Sequence, residues 1–195
     1  MQYLVAMTTH VPDGVSEADV DGVRAREAAR SRELALGGHL LRLWRPPLQP
    51  GEWRSLGLFA ADDGVHLEEL LASMPLRIWR KDEVPPLAAH PNDPPSPPPR
   101  RPGAAESLTT FTVNVPDTVD APTVEEAQAA EARSARMLAD RGYLVRLWKL
   151  PGRGRALGLW QAETAEELQA VLAALPLRPW LTIETIPLTP HPSDP

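Results

Sequence analysis

The sequence contains no cysteine, which excludes disulfide bonds and thiolate chemistry. It also lacks an apolar stretch long enough to span a membrane, and the apolar residues 1–7 are too few for a signal peptide and favour a strand. We therefore expect a cytoplasmic protein with no membrane partner. The net charge is −6 and both halves of the chain are acidic, so nucleic acid is not an expected partner.

Several catalytic signatures are also missing. No pair of histidines has the spacing of metal ligands, so no metal site is predicted. There is no glycine-rich phosphate loop and no nucleophile elbow.

The chain is instead dominated by an internal repeat. Residues 54–94 align without gaps on residues 155–195, and 19 of those 41 positions are identical. Chance would give about two or three identities, given average residue usage. A repeat of this length is a duplicated domain. Two shorter blocks extend the match upstream: residues 38–45 with 142–149, and residues 11–13 with 115–117.

We assign residues 1–94 to the first repeat, 95–106 to a proline-rich linker and 107–195 to the second repeat. Proline-rich sequence favours an extended polyproline II spacer, although such segments can also be ligands of small recognition domains. Each repeat predicts the element order β-α-β-β-α-β, with a fourth strand at residues 78–84 in the first copy. This order is typical of the ferredoxin-like α+β fold.

One acidic residue in each repeat interrupts the apolar stripe of the first helix. Glu27 follows Val20 and Val23 at heptad spacing, and Glu131 holds the same place in the second copy. A buried carboxylate without a partner has a raised pKa, which suits a general acid or base. The alternatives are an ion pair with an arginine, or a side chain that reaches water.

Arginine recurs inside the second strand. Strict alternation would place Leu40, Arg42 and Trp44 on one face, and Arg146 repeats Arg42 in the second copy. Such a guanidinium could bind a carboxylate or stabilise an enolate. It could equally be the structural partner of Glu27 or face solvent.

Histidine gives a weaker signal. Only His90 recurs, as His191, within the motif His-Pro-x-Asp-Pro. The motif follows the last strand, so we interpret both as tail residues that pack or cap.

Several features together resemble the muconolactone Δ-isomerase family of the dimeric α+β barrel superfamily. They are the Val-Pro after the first strand, a glutamate eleven residues before the glycine of strand two, Leu-Trp-Arg at 43–45, Pro-Leu-x-x-Trp at 75–79 and Leu-x-x-His-Pro at 87–91. The resemblance covers both repeats almost end to end. It implies that the two ferredoxin-like units form an α+β barrel within one chain, and that such pseudo-dimers assemble into a homo-oligomer.

The resemblance also implies an activity. Members of this family need no cofactor and shift a double bond in a small unsaturated lactone by moving a proton, during the breakdown of aromatic compounds. Glu27 and Glu131 fall where the candidate base of the family lies. The substrate-binding residues that we expect, from their placement near these bases, are Arg42, Trp44, Arg45, Arg146, Trp148 and Lys149. The expected partner is a lactone or carboxylate of low molecular mass.

Other functions fit the same fold. The chain could be a non-catalytic ligand-binding or assembly module. It could also be a lyase, a cyclase or a cofactor-free monooxygenase recruited to secondary metabolism. Exposed glutamates with no adjacent pocket would favour the non-catalytic alternative.

Overall fold

The computed structural model describes all 195 residues and divides them into two compact units. Unit 1 consists of residues 1–86 and 189–195, and unit 2 consists of residues 87–188. The C-terminal segment of each repeat therefore belongs to the unit built by the other repeat. None of the helices combines the length and the apolar composition that a membrane-spanning helix requires.

Both units have the ferredoxin-like α+β organisation that the sequence predicts. The strands of unit 1 are antiparallel and lie in the order β4-β1-β3-β2. Its elements are β1 (Gln2–Thr9), α1 (Glu17–Leu36), β2 (Leu40–Arg45), β3 (Arg54–Ala60), α2 (Gly64–Ala72), a 3-10 helix (Pro75–Trp79) and β4 (Arg80–Glu83).

Unit 2 repeats this order and adds a short edge strand at its beginning. Its strands lie in the order β9-β6-β8-β7-β5, again antiparallel. The elements are β5 (Ala88–Ala89), β6 (Ala105–Val113), α3 (Ala121–Asp140), β7 (Leu144–Lys149), β8 (Arg155–Ala162), α4 (Ala165–Ala173), a 3-10 helix (Arg178–Trp180) and β9 (Leu181–Pro190). The last two residues of β9 belong to unit 1, where they pair with β2.

Helix α1 owes its position to local sequence. The Ser16 hydroxyl accepts a hydrogen bond from the Asp19 backbone N–H and donates one to the Asp19 carboxylate, which caps the first turn. The helix ends at Gly37, and Gly38 then takes a φ of +73°, a conformation that favours glycine. The buried residues of α1 are those of the predicted stripe: Val23, Glu27, Ser31 and Leu34.

The second strand departs from strict alternation. A bulge at Leu41 shifts the register against β3, so Leu40 and Leu43 both enter the apolar core of unit 1. The prediction that Leu40 shares a face with Arg42 and Trp44 was therefore wrong. Strand β7 has the same irregularity, and Leu144 and Leu147 both enter the core of unit 2.

The fourth strand is shorter than predicted. Residues 75–79 form a 3-10 helix that begins at Pro75, and only Arg80–Glu83 pair with β1. Proline at the first position favours a helical turn because its φ is already fixed near the helical value. Arg80 is therefore the first residue of β4, and its side chain pairs with Glu27 of α1.

Part of the proline-rich linker is fastened to unit 2. The Arg101 backbone N–H donates to the Gln161 side-chain oxygen, and the Gln161 amide nitrogen donates to the Pro99 carbonyl. The Arg101 guanidinium also pairs with Glu163 at 3.0 Å. These contacts fix the chain just before β6 begins.

Candidate active site

The tail that follows β9 closes one end of a cavity in unit 1. Asp194 anchors this tail: its carboxylate accepts hydrogen bonds from the Arg42 Nε and Nη2 atoms at 3.1 and 3.0 Å and from the Leu43 N–H at 2.6 Å. A guanidinium that holds a carboxylate through two nitrogens fixes its orientation as well as its position. The anchor thus places His191 and Pro192 in the cavity wall.

The tail of the first repeat is held in the same way in unit 2. The Asp93 carboxylate pairs with Arg146 Nη2 at 2.6 Å and accepts a hydrogen bond from the Leu147 N–H at 2.7 Å. Burial raises the pKa of Asp93, partly offset by these two contacts. The recurrence of Arg42 and Arg146 therefore reflects tail anchoring, and neither arginine lines a cavity.

Replacing Asp194 with Asn is expected to loosen the tail of unit 1. The loss of a charged acceptor that serves one guanidinium and one backbone N–H should lower the free energy of unfolding by about 2–3 kcal/mol. Hydrogen exchange at residues 189–195 should quicken, while Asp93→Asn should quicken it only at residues 87–93. Unchanged exchange in Asp194→Asn would contradict the anchoring role.

The cavity of unit 1 has a volume of about 350 Å³ and holds Glu27 in its wall. Apolar side chains of Met7, Leu43, Trp53 and Met74 form part of the lining. This volume lies at the lower end of the range for small-molecule sites. The cavity therefore has room for a small ligand beside Glu27.

Glu27 is held by two donors and is largely buried. Its Oε2 accepts a hydrogen bond from the Leu76 N–H at 2.8 Å, and its Oε1 pairs with Arg80 Nη1 at 2.9 Å. Burial raises the pKa of Glu27, and the Leu76 and Arg80 contacts offset only part of that increase. A carboxylate has about four acceptor positions, so each oxygen keeps one available for a reacting proton.

Arg80 is the cation that pairs with Glu27, and its side chain is more buried than that of Glu27. Its side chain is only 2% exposed, and its Nε also pairs with Asp82 at 2.6 Å. Asp82 in turn pairs with Arg77 on the 3-10 helix. The ion pair that the sequence left open for Glu27 therefore exists, but its arginine lies on β4 and is not Arg42.

His191 presents a neutral imidazole to the same cavity. Burial lowers its pKa, and the nearby Arg45 lowers it further. The Ser193 N–H donates to His191 Nδ1 at 3.1 Å, so the neutral ring carries its proton on Nε2. That N–H is a donor suited to a ligand oxygen.

Two further arginines line the cavity of unit 1 nearer to solvent. Arg45 is exposed at the end of β2. The Arg24 guanidinium lies 4.4 Å from the centre of the Trp53 ring, a cation–π contact that orients both side chains. With Arg80, the lining holds three arginines against one carboxylate.

Unit 2 holds the equivalent glutamate in a different setting. Glu131 lines a cavity of about 1080 Å³, and its Oε2 accepts a hydrogen bond from the Leu177 N–H at 2.9 Å. No salt bridge reaches it, because Leu181 occupies the position that corresponds to Arg80. Burial raises the pKa of Glu131, and only the Leu177 hydrogen bond opposes that effect.

The structure brings some of the predicted site residues to the cavities and leaves others outside. Glu27 and Arg45 line the cavity of unit 1, and Glu131 lines that of unit 2. Trp44 and Trp148 are buried outside these linings, beneath the guanidinium groups of Arg42 and Arg146. Lys149 is exposed and does not line its cavity.

Sequence reasoning missed Arg80 and His191 as site residues. His191 carried a usable signal, since its motif is the part of the tail that both repeats retain. Arg80 gave no such signal, because its counterpart in the second repeat is Leu181. The predicted strand also began at residue 78, two residues before the observed start of β4. No three histidine, aspartate or glutamate side chains come together in a way that could hold a metal ion.

Comparison with known proteins identifies the family of this chain. A model of the muconolactone delta-isomerase family matches residues 1–93 and 106–194. The chain is 34% identical over 92 residues to the muconolactone Δ-isomerase of Cupriavidus pinatubonensis, covering 47% of this chain and 97% of the relative. It is 32% identical over 92 residues to muconolactone Δ-isomerase 1 of Acinetobacter lwoffii, covering 47% and 93%.

A solved structure of chlorite dismutase from Candidatus Nitrospira defluvii covers 97% of this chain and 91% of its own, with a TM-score of 0.61 and 9% identity. That likeness concerns the fold alone and agrees with the predicted α+β class.

Each of the two muconolactone Δ-isomerases is matched over almost its whole length by less than half of this chain, and the family match falls in two segments. The chain therefore belongs to the muconolactone Δ-isomerase family and carries the family unit twice.

Proposed function

We propose that the cavity of unit 1 is the active site of a cofactor-independent isomerase. Its substrate would be a small unsaturated lactone with a carboxylate group, and muconolactone is the first candidate. The observation that carries this proposal is the setting of Glu27: a cavity-lining carboxylate with a raised pKa, held by one backbone donor and one arginine. The named activity of the relatives supports the reaction class.

Binding would depend on the cations at the cavity entrance. Arg45 is exposed, so it can give up water and pair with the substrate carboxylate. His191, with its proton on Nε2, can donate to the lactone carbonyl. The apolar side chains of the wall would limit the access of water to the carbon atoms that exchange the proton.

Glu27 would act first as base and then as acid. A free lone pair on its carboxylate takes the acidified proton from carbon, and the electrons move into the conjugated system to give a dienolate. The neutral Glu27 then returns the same proton to the carbon two positions away, so the double bond shifts and no proton is gained or lost. The raised pKa brings the carboxylate closer to the basicity that this exchange requires.

Arg80 would stabilise the negative charge that forms on the substrate during the proton transfer. In the resting site its guanidinium is neutralised by Glu27 and Asp82. Once Glu27 takes a proton, part of that positive charge is uncompensated and faces the newly formed dienolate. Fixed charges of this kind stabilise a transition state without reorganisation.

The pH dependence of kcat/KM tests this assignment. Catalysis needs ionised Glu27, so activity should fall as the pH is lowered through its pKa, and this acidic limb should lie above pH 4.5.

The free energy of unfolding depends on pH in the opposite direction. The raised pKa of Glu27 means that the folded state binds this proton more tightly than the unfolded state does. The contribution of Glu27 to stability is therefore lost as the pH rises from about 4.5 through its folded-state pKa.

A histidine variant serves as the control for this profile. The pKa of His191 is lowered from 6.5, so its titration could produce a limb in a similar range. His191→Asn should weaken substrate binding but keep the acidic limb. An acidic limb at or below 4.5, or one that disappears in His191→Asn, would contradict the role given to Glu27.

A further inference from the structure

The cavities of the two units occupy equivalent positions but carry opposite charge. Unit 1 lines its cavity with Arg24, Arg45 and Arg80 against Glu27 alone. Unit 2 lines its cavity with one arginine against three carboxylates: Arg153, Asp117, Glu125 and Glu131. A site that favours an anion in one repeat therefore disfavours one in the other.

Individual replacements account for this reversal. The positions of Arg24 and Arg80 are taken by Gln128 and Leu181 in the second repeat. The smaller polar groups of the lining change in the same direction, since Thr9, Ser31 and Ser55 correspond to Val113, Ala135 and Ala156. At these positions the second cavity therefore lacks two arginines and three hydroxyl groups that line the first.

The same alignment accounts for part of the difference in size. The cavity of unit 2 is about three times larger than that of unit 1, and Gly154 stands where unit 1 has Trp53. Gly154 has a φ of +67°, and a Cβ atom at this position would lie 2.9 Å from the Val113 carbonyl oxygen. The backbone itself therefore excludes a side chain here, so the space that Trp53 fills in unit 1 stays open in this repeat.

We propose that the cavity of unit 2 binds an uncharged, mainly apolar ring compound larger than the lactone substrate of unit 1. The edge-to-face pair of Phe111 and Trp160, with ring centres 6.1 Å apart, offers aromatic surface to such a ligand. The polar side chains Asp117, Glu125, Gln128 and Arg153 lie at exposed positions of the lining, whereas Glu131 and His90 are half-buried. Burial raises the pKa of Glu131 and lowers that of His90. This assignment goes beyond the isomerase activity proposed for unit 1.

Two dyes with the same ring skeleton test the proposal. N-phenyl-1-naphthylamine is neutral, whereas 1-anilinonaphthalene-8-sulfonate adds a sulfonate to the same rings. Fluorescence titration of the full chain should show one site for the neutral dye. Binding of the sulfonate should be weaker by at least about tenfold, since burying an anion beside carboxylates is unfavourable. Equal or tighter binding of the sulfonate would overturn the proposal.

Matched variants locate the dye. Ala135 and Ser31 occupy equivalent positions in the two cavities, so Ala135→Phe should abolish binding of the neutral dye and Ser31→Phe should leave it unchanged. Retained binding in a folded Ala135→Phe variant, or equal loss in both variants, would overturn the assignment to unit 2.

An exposed position gives a test that does not depend on core packing. Gln128 is exposed on α3 and corresponds to Arg24, so Gln128→Arg should fold normally. The ratio of the affinity for the neutral dye to that for the sulfonate should fall several-fold in this variant, because the substitution adds a cation to the lining. An unchanged ratio of the two dye affinities in this variant would also overturn the proposal.

Discussion

Replacing Glu27 with Gln is expected to lower kcat for muconolactone by about 10²–10⁴-fold, the usual contribution of general acid–base catalysis. Glutamine has almost the same shape and keeps an oxygen that can accept the Leu76 hydrogen bond, so the fold should persist. It cannot take a proton from carbon, so the chemical step loses its base. Steady-state kinetics with thermal unfolding as the folding check would measure both effects.

The matched control for this variant is Glu131→Gln. The same substitution in unit 2 removes an equivalent carboxylate from a cavity that lacks the three arginines of unit 1. Turnover of muconolactone should therefore stay within about twofold of the wild type. A folded Glu27→Gln protein that retains more than a tenth of the activity would contradict the proposal, as would an equal loss in the two variants.

Replacing Arg80 with Leu is expected to have the second largest effect, because it gives unit 1 the residue that unit 2 has at position 181. Glu27 would lose its only ion pair, and its pKa would rise further because Arg80 lowers it in the wild type. The dienolate would lose its nearest fixed cation as well. We expect kcat/KM at pH 7 to fall by about 10²–10³-fold, as when an oxyanion donor is removed.

The same change should also weaken the fold. Arg80 is buried between two carboxylates, and removing one partner of a buried pair costs about 3–5 kcal/mol. Asp82 keeps Arg77 as a partner, which places the expected loss at the lower end of that range. Denaturant unfolding measures the stability, and activity can be measured at low temperature, where the folded state is retained.

Arg80→Lys separates charge from geometry. Lysine keeps the cation but cannot reach Glu27 and Asp82 at once in the way that the guanidinium does. Its activity should lie between those of the wild type and Arg80→Leu. A folded Arg80→Leu protein with activity within about twofold of the wild type would exclude Arg80 from the mechanism.

The sequence was sufficient to predict the features that depend on local pattern. The 3.6-residue period of α1 placed Glu27 on the buried stripe, because side-chain direction along a helix follows from spacing alone. The capping residue Ser16 and the terminal glycines fixed where that helix begins and ends. Repetition of the whole pattern gave the tandem organisation, which the family match in two segments confirms.

The features that the sequence did not predict depend on contacts between distant residues. Arg42 and Asp194 are 152 positions apart, and nothing in either local pattern indicates that one anchors the other. The bulge at Leu41 changes which side chains reach the core, yet its residues are ordinary strand formers. Arg80 and Glu27 are 53 positions apart, and neither local pattern indicates that the arginine of β4 pairs with the glutamate of α1. Whether Trp44, Trp148 and Lys149 contact a substrate stays a prediction.

The most direct measurement follows muconolactone by proton NMR after the purified wild-type chain is added in the presence of a metal chelator and without any cofactor. Because the proposed proton transfer uses only Glu27 and its neighbours, the signals of the substrate should be replaced by those of the isomer with the shifted double bond. The rate should be proportional to protein concentration. An unchanged spectrum with folded protein at pH 7 would contradict the proposal that unit 1 is an isomerase acting on this lactone.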